Sequence, residues 1–281
     1  MFDIFKYTMP LDDWIATAVE WLVGNFRPQF QAIKMPIEVM LNAIDDLLLW
    51  LPEEVILLAF LVIGWKTAGW KVGVFSIVSM AFIGFTGLWD ETMTTLAMVI
   101  SAVVVDVLIG VPLGIISSRS NKFEAFLRPI LDAMQTTPAF VYLVPVVMLF
   151  SIGTVAGVIA TIIFSMPPII RLTNLGIRQV HPELIEATYA FGATKRQVLW
   201  KVQIPLALTT IMAGLNQTIM LSLSMVVIAS LIGAGGLGVP VFEGLNSLQV
   251  GLAGIGGLGI VLMAMVLDRI TQALGSGQEQ E

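Results

Sequence analysis

The sequence has no cysteine, one histidine and few charged residues, since Asp, Glu, Lys and Arg make up only 12% of its 281 positions. A chain without cysteine can form no disulfide framework, no thiolate metal site and no cysteine nucleophile. The one histidine, His181, stands in a polar segment without a neighbouring cysteine or a set of carboxylates. Nothing in this composition therefore supports a metalloenzyme or a hydrolase.

Two binding signals are also missing. The sequence contains no Gly-x4-Gly-Lys-Ser/Thr segment, so it lacks the loop that cradles the phosphates of ATP in many proteins. Its net charge is −6 at pH 7, whereas nucleic-acid-binding proteins present a basic face. We therefore expect this chain itself to bind no cofactor and no nucleic acid.

Two glycine-rich segments, 233–238 and 254–259, fit the pattern Gly-x-Gly-x-x-Gly. A dinucleotide site needs this pattern between a strand and a helix, but both segments lie in or beside long apolar runs. Small residues also let membrane helices approach closely. We predict a turn or close helix packing at these segments.

Apolar residues are abundant, at 57% of the chain, and the mean hydropathy is +0.91. Long runs without charge occupy residues 133–170, 202–242 and 244–267. A helix needs about 20 apolar residues to cross a bilayer, and these runs are continuous rather than alternating, which favours helices over barrel strands. We predict an all-α, polytopic membrane protein. Its expected seven transmembrane helices lie at about 53–70, 72–89, 93–117, 138–151, 153–171, 206–232 and 248–269.

The basic residues are distributed unevenly along these predicted spans. If residues 172–205 face the cytoplasm, 11 of the 14 basic residues fall in segments on that side, and the outer loops hold none. The eleven are Lys66, Lys71, Arg119, Lys122, Arg128, Arg171, Arg178, Lys195, Arg196, Lys201 and Arg269. An excess of Lys and Arg marks cytoplasmic loops. The N-terminus is therefore expected outside and the C-terminus inside.

The N-terminal segment, residues 1–52, is predicted to be extracytoplasmic or interfacial. Residues 12–51 have the pattern of two amphipathic helices, with Ile37, Leu41 and Ile44 on one face. Their polar face is acidic, whereas helices on a lipid surface tend to be basic. We favour a packing element on the outer side over a specific partner site.

Residues 181–207 form a charged, helix-prone segment between two apolar runs. His181 is predicted as an N-cap, Pro182 takes the first helical position, and Gly192 suits the left-handed residue that ends the helix. Thr194 to Gln197 has the pattern of a capping box. Pro205 is expected to break the chain before the next span. These residues alone leave open whether the segment is an ordinary helical loop or a docking element.

This segment resembles the EAA loop of ABC importer permeases. Glu186-Ala187-Thr188, Gly192 and Val202-Gln203-Ile204-Pro205 match the usual pattern Glu-Ala-Ala-x3-Gly-x9-Ile-x-Leu-Pro, with conservative departures at Thr188, Val202 and Ile204. The resemblance implies a coupling helix seated on a separate ATPase subunit, which would bind the ATP and Mg. It assigns this coupling to Glu183, Glu186, Ala187, Thr188, Gly192, Ala193 and Pro205.

A narrower resemblance covers Asp132–Pro145, Phe164–Arg171 and Asn216–Met225, which are similar to permease subunits of glycine betaine/proline betaine importers. Overall, the similarity spans about residues 50–272. It implies a transport subunit rather than an enzyme, multi-pass in a bacterial-type plasma (inner) membrane and surrounded by lipid. The expected partners are a second copy of the chain, two ATPase subunits and an extracytoplasmic substrate-binding protein. The solute would be glycine betaine or a related quaternary-ammonium osmoprotectant.

The same resemblance divides the chain after the N-terminal segment. Residues 53–89 would form two peripheral scaffold helices. Residues 90–272 would form the core permease domain, with the EAA coupling loop at 181–206. Residues 273–281 are expected to be a flexible tail.

A few polar, aromatic and proline residues inside the spans are candidates for the translocation path. Asp106 should face the bundle interior, where a hydrogen bond between helices is favoured over contact with a cationic solute. Apolar segments are interrupted by Pro138, Pro145, Pro167 and Pro168. Broken helices in transporters often lie beside the path, although a simple kink is an equal alternative at these prolines. Phe140 and Tyr142 could offer a cation–π surface, but aromatic residues are common beside membrane interfaces, and the resemblance favours selective capture in the extracytoplasmic binding protein over a cage at these residues. The full candidate set is Asp106, Gln135, Thr136, Pro138, Phe140, Tyr142, Asn216 and Ser222.

The rival interpretation is a secondary transporter driven by an ion gradient. Such a protein is expected to carry paired intramembrane acids or an inverted repeat with matching broken helices. The sequence has one central acid, Asp106, and no evident repeat. A non-transporting scaffold would leave the EAA pattern without an explanation.

Overall fold

The structure, a computed structural model, describes residues 10–276, and only the backbone for Asp12 and Ser276. Every regular element within this range is helical, and the range contains no strand. The helices are α1 Leu11–Trp50, α2 Glu53–Ala68, α3 Trp70–Phe85, α4 Trp89–Arg119, α5 Asn121–Thr136, α6 Leu143–Phe150, α7 Thr154–Arg178, α8 Pro182–Ala190, α9 Lys195–Val198, α10 Ile204–Ala229, α11 Gly238–Asn246 and α12 Val250–Ser276. The predicted all-α class is confirmed.

Four helical stretches are long and apolar enough to cross a membrane: Trp89–Arg119, Thr154–Arg178, Lys195–Ile232 and Val250–Gly275. Two helix pairs, α1 with α2 and α5 with α6, are each bent by 105°, and the count of possible spans within residues 10–276 rises to six if each pair forms one. The apolar helix α3 is shorter, at 16 residues. The protein is therefore polytopic, whereas the count of seven and the orientation stay predictions.

The predicted span at 138–151 differs from the structure. The chain forms helix α5 before it, turns at Thr137 and Pro138, and continues through a 3-10 turn, Ala139–Tyr142, into the eight-residue α6. Residues 118–137 lie between the predicted spans at 93–117 and 138–151, and no helix was predicted there. Thr137 is extended, with φ −68° and ψ 127°, because a residue that precedes proline avoids the helical region.

Other prolines do not interrupt their helices. Pro167 and Pro168 are both buried inside the continuous helix α7, which ends seven residues past the predicted span. Pro28 and Pro36 lie inside α1, so the two predicted amphipathic helices at 12–51 are in fact one helix of 40 residues. A proline removes one helical hydrogen bond and can kink a helix without ending it.

The inward face of α1 is nevertheless the expected one. Leu41 is buried, and Ile37, Ile44 and Leu48 pack beside it against the main core cluster. At the other end of the chain, α12 continues to Ser276, past the predicted domain end at 272. Residues 277–281 of the predicted tail lie outside the described residues.

The glycine-rich segments serve packing and turns, as predicted. Gly233 and Gly236 have φ of +75° and +89° in the turn before α11. The backbone N–H of Leu237 donates to Thr95 Oγ1 at 2.7 Å, which ties this turn to α4. In the second segment, a Cβ on Gly256 would lie 2.9 Å from a side-chain methyl of Val241, so α11 and α12 are in close contact.

Helix α7 is central in the bundle, with 15 of its 25 residues buried between α4 and α10. A Cβ on Gly114 of α4 would lie 2.6 Å from Thr173 Cβ and 2.8 Å from the carbonyl oxygen of Ile170. On the opposite side, a Cβ on Gly176 would lie 2.9 Å from Thr210 Cβ. Backbones can approach this closely only where small residues face each other.

We predict that Gly114→Ala lowers the free energy of unfolding by about 1–3 kcal/mol, because the added methyl group overpacks the contact between α4 and α7. The matched control is Gly257→Ala, where nothing lies within 4 Å of the added Cβ. Thermal unfolding of both variants in the same detergent measures the difference. Equal midpoints for the two variants would contradict the packing argument.

Candidate functional site

The hairpin formed by α8 and α9 has the predicted local structure. Pro182 starts α8 after an extended His181, and Gly192 has φ +79°. The capping box at α9 is complete: Thr194 Oγ1 accepts from the N–H of Gln197 at 3.4 Å, and Gln197 Oε1 accepts from the N–H of Thr194 at 2.8 Å. These predictions are confirmed.

The predicted break at Pro205 is wrong. After α9 the chain passes through a π-helical segment, Leu199–Gln203, and enters α10 at Ile204 without leaving the helix. Proline is tolerated in the first turn of a helix, where its missing N–H costs little. The second arm of the hairpin is therefore one continuous helix with α10.

The hairpin projects from the bundle, and none of the residues of α8 is buried. Glu183, Glu186 and Ala187 are exposed, while Thr188 and Ala193 are half-buried. Four large apolar side chains are also exposed on or beside the hairpin: Leu184 at 46%, Tyr189 at 45%, Phe191 at 92% and Trp200 at 58%. A cluster of exposed apolar side chains is typical of a protein–protein contact.

Phe191 is a candidate contact residue that the sequence argument missed. It directly precedes the left-handed Gly192 at the tip of the hairpin. The signal was available, because an aromatic residue between the end of a short helix and a left-handed glycine has no local core to fill. By contrast, Val198 and Leu199 are buried and anchor α9 to the bundle.

Helices α5 and α7 enclose a groove of about 310 Å³ with charged residues along it. Arg171 forms an ion pair with Asp132 at 2.6 Å and donates to Gln135 Oε1 at 2.7 Å. Further along, Arg178 forms an ion pair with Glu124 at 2.9 Å. The candidate residue Gln135 therefore joins α5 to α7.

The bend at Pro138 holds the aromatic candidates in different environments. The ring of Phe140 is exposed, whereas Tyr142 is half-buried and packs edge-on against Phe164 with ring centroids 6.4 Å apart. The Tyr142 hydroxyl donates to the carbonyl oxygen of Met134 at 2.6 Å, across the bend. Thr136, just before the bend, is exposed and its hydroxyl donates to the carbonyl oxygen of Asp132.

Asp106 is fully buried where α4 meets α7, and its Oδ2 accepts from Ser165 Oγ at 2.6 Å. Its other oxygen, Oδ1, has no hydrogen-bond partner among residues 10–276. The observed hydrogen bond between helices is the arrangement that the sequence argument favoured. Ser165 was missed because it lies 59 positions away in the chain.

The last two candidates lie elsewhere in the bundle. Asn216 of α10 donates to Asp268 Oδ1 at 2.9 Å and accepts from Thr271 Oγ1 at 2.6 Å, next to a second groove of about 300 Å³. Ser222 is buried, and its hydroxyl donates to the carbonyl oxygen of Thr218 in its own helix. Of the candidates for the translocation path, only those at residues 135–142 lie together, at the bend. Asp106, Asn216 and Ser222 lie in three separate places in the bundle.

We predict that Tyr142→Phe loosens the bend, because the variant keeps the ring but loses the hydrogen bond to Met134. The local loss should be about 0.5–1.5 kcal/mol. Hydrogen exchange of the backbone amides near residues 138–143 should then accelerate about threefold to tenfold. Tyr189→Phe is the control, since Tyr189 is exposed on α8. Unchanged exchange at the bend would count against this role of the hydroxyl group.

Three comparisons with known proteins bear on this arrangement. The sequence profile of the family described as "Binding-protein-dependent transport system inner membrane component" matches residues 110–279. This range includes α5, the bend at Pro138, and the hairpin.

Similar proteins extend the match over nearly the whole chain. The chain is 54% identical over 270 residues to the glycine betaine/proline betaine transport system permease protein ProW of Escherichia coli (strain K12), covering 96% of this chain and 76% of that protein. It is 44% identical over 264 residues to the glycine betaine transport system permease protein OpuAB of Bacillus subtilis (strain 168), covering 94% of each. The glycine betaine/carnitine transport permease protein GbuB of Listeria monocytogenes is also 44% identical, with 98% of each chain covered.

The fold has a solved counterpart as well. A chain of the MetNI methionine ABC transporter in an inward-facing conformation superposes with a TM-score of 0.61, at 22% identity, over 71% of this chain and 97% of that one. At this identity the likeness concerns the fold alone. Taken with the family match and the relatives, these observations place the chain plainly: it belongs to the family of inner-membrane components of binding-protein-dependent transport systems.

Proposed function

We propose that this chain is the transmembrane subunit of an ATP-driven importer for glycine betaine or a related quaternary-ammonium osmoprotectant. The observation that carries the proposal is the 54% identity, over 96% of the chain, to a permease protein named for glycine betaine and proline betaine transport. Two further relatives named for glycine betaine match almost end to end. Transport would proceed by alternating access, with the solute delivered by an extracytoplasmic binding protein.

The hairpin is the proposed contact with the ATPase, which would be a separate subunit carrying ATP and Mg. Its exposed face combines Glu183, Glu186 and Ala187 with the apolar side chain of Phe191. Movement of the hairpin would be transmitted directly to α10, because the π-helical segment joins α9 to α10 without a break. We infer a homodimer of this chain with two ATPase subunits, one docked on each hairpin.

For the membrane arrangement, we propose seven spans with the N-terminus outside. The spans would be α2, α3, α4, the segment around α6, α7, α10 and α12. Helix ends support this arrangement, since Lys66, Arg119 and Arg178 stand in the last turns of α2, α4 and α7. Alternating helix directions bring these basic ends to one side, where the positive-inside pattern expects the cytoplasm.

The bend between α5 and α6 is our proposed contribution to the solute path. Non-helical backbone is tolerated at membrane depth only beside protein or water. Phe140 is exposed at this point, and Gln135 and Thr136 lie just before Pro138. Asp106, with its hydrogen bond to Ser165, is better explained as part of the contact between α4 and α7.

A secondary transporter is the alternative from another class. It would carry solute without a partner ATPase, and it would leave the exposed hairpin without a role. The relatives, which are named as permease proteins of transport systems, support the importer instead.

The decisive experiment is purification of the chain from its native membrane in mild detergent, followed by uptake of labelled glycine betaine in proteoliposomes. An ATPase subunit should co-purify in equal number, and uptake should require both ATP and the binding protein. Uptake by the chain alone, without ATP, would replace the importer with the secondary transporter.

We predict that Gly192→Val uncouples ATP hydrolysis from uptake, whereas Gly192→Asn does not. Nothing lies within 4 Å of a Cβ on Gly192, so the only obstacle is its φ of +79°. A β-branched residue at such a φ has a conformational strain of about 1–3 kcal/mol, whereas Asn adopts this φ more readily.

The measurement is the amount of solute imported per ATP hydrolysed, in proteoliposomes that contain the whole complex. Gly192→Val should lower this ratio about tenfold because the strain distorts the turn, and Gly192→Asn should stay close to the parent. Parent-like coupling in Gly192→Val would remove the turn of the hairpin from the mechanism.

A further inference from the structure

Arg178 occupies the root of the hairpin, as the last residue of α7 and three positions before His181. Its guanidinium group uses all three nitrogens. Nη1 donates to Asn121 Oδ1 at 2.8 Å, and Nε donates to Asn174 Oδ1 at 2.9 Å. Nη2 donates to the carbonyl oxygen of Ser117 at 2.9 Å and pairs with Glu124 at 2.9 Å.

These bonds connect three helices at one point. Ser117 belongs to the last turn of α4, Asn121 and Glu124 open α5, and Asn174 lies one turn back in α7. Asn174 closes the set, because its side-chain N–H donates to Glu124 Oε1 at 3.0 Å. A guanidinium offers five N–H donors in a fixed planar fork, which a lysine ammonium cannot reproduce.

Helix α5 has few other restraints at its first turn. It joins α4 through the single residue Ser120, whose hydroxyl caps α5 by accepting from the N–H of Phe123 at 3.2 Å. Beyond the bonds of Arg178 and the bond from Asn174 to Glu124, the polar bonds between the described parts of α5 and α7 are those of Arg171 to Asp132 and Gln135, just before the bend. Apolar packing adds to these bonds further along α5, where Leu127 and Leu131 are buried in one cluster with residues of α7, and Arg178 holds the end of α5 that lies next to the hairpin.

The two ends of α5 therefore lie at the two places that the proposed function has to connect. One end is bonded to the residue that leads into the hairpin. The other end meets Pro138, where the chain bends by 105° into α6. Arg178 is also partly screened from water, with its side chain 33% exposed and that of Glu124 37% exposed.

We propose that Arg178 is the positioning residue that carries movement of the hairpin into α5 and so to the bend at Pro138. The inference rests on the proposed coupling function of the hairpin. Movement of the hairpin is then transmitted through two connections: the continuous helix into α10, and the bonds of Arg178 to α5. Without the bonds of Arg178, the hairpin moves α10 while α5 keeps its resting position.

The test compares Arg178→Lys and Arg178→Ala with Arg128→Lys in the complete complex, reconstituted with its ATPase and binding protein. Arg128 lines the same groove, and its side chain makes no hydrogen bond or ion pair with any residue that the structure describes, so it is a matched control. The readout is labelled glycine betaine imported per ATP hydrolysed, measured with ATPase content and thermal stability.

We expect both Arg178 variants to lower this ratio about tenfold while ATP hydrolysis, ATPase content and stability stay near the parent, and Arg128→Lys to match the parent. An unchanged ratio in Arg178→Lys and Arg178→Ala overturns the inference. A fall in uptake that only follows lost ATPase or lost stability overturns it too, because Arg178 would then be structural. If Arg178→Ala does not assemble, Asn121→Ala with Glu124→Gln removes only the bonds to α5 and is judged by the same criteria.

A distance measurement separates transmission from stability. The chain has no cysteine, so spin labels can be placed at Lys195→Cys on α9 and Ala133→Cys on α5, both exposed positions. In the parent, this distance should stay the same between the resting and vanadate-trapped states. In Arg178→Lys it should change, since the hairpin moves without α5. An equal distance in both states of the variant overturns the inference.

Gly192→Val, measured in the same assay, tests the coupling function of the hairpin separately from the role of Arg178. If it uncouples transport and the Arg178 variants do not, only the role of Arg178 is wrong. If neither uncouples transport, or if uptake needs no ATPase, the coupling function of the hairpin is wrong as well.

Discussion

Backbone contact between α7 and its two neighbours is the constraint on which the other features of this bundle depend. Gly114 on α4 and Gly176 on α7 allow helix axes to approach so closely that a single added Cβ would lie within 3 Å of neighbouring atoms. In lipid there is no hydrophobic drive between apolar helices, so van der Waals contact and hydrogen bonds must hold them. The buried bond from Ser165 to Asp106 forms across this same interface.

The polar contacts divide into two kinds according to their depth. Deep in the bundle, the Ser165–Asp106 bond links helices that close packing already holds together. Nearer the ends of α5, Arg171 and Arg178 cross from α7 to α5, beside the apolar contacts of Leu127 and Leu131, and both ion pairs stay partly exposed. Exposed pairs are individually weak, so Arg178 depends on its several bonds acting together rather than on the pair with Glu124 alone.

The parts of the structure that the sequence predicts well are those with local causes. Pro182, Gly192 and the Thr194–Gln197 capping box each depend on residues within one turn, and all three are found where expected. Features decided by distant contacts were missed. Helix α5 was not predicted, because its apolar side becomes buried only through packing against α7. Nothing near Asp106 in the chain points to Ser165, 59 residues away. Distant packing also decides what each proline does, since a helix ends before Pro138 but continues through Pro167 and Pro205.

The length of α1 has a consequence for the space that the protein occupies in its membrane. Forty residues at 1.5 Å each give a helix of about 60 Å, twice the thickness of the hydrocarbon core. With a bend of 105° to α2, such a helix extends sideways when α2 stands upright. From Phe30 onward α1 packs against the bundle, whereas large apolar side chains between Leu11 and Phe26 are exposed. The first half of α1 therefore reaches past the packed bundle and widens the area that the chain occupies in the membrane plane.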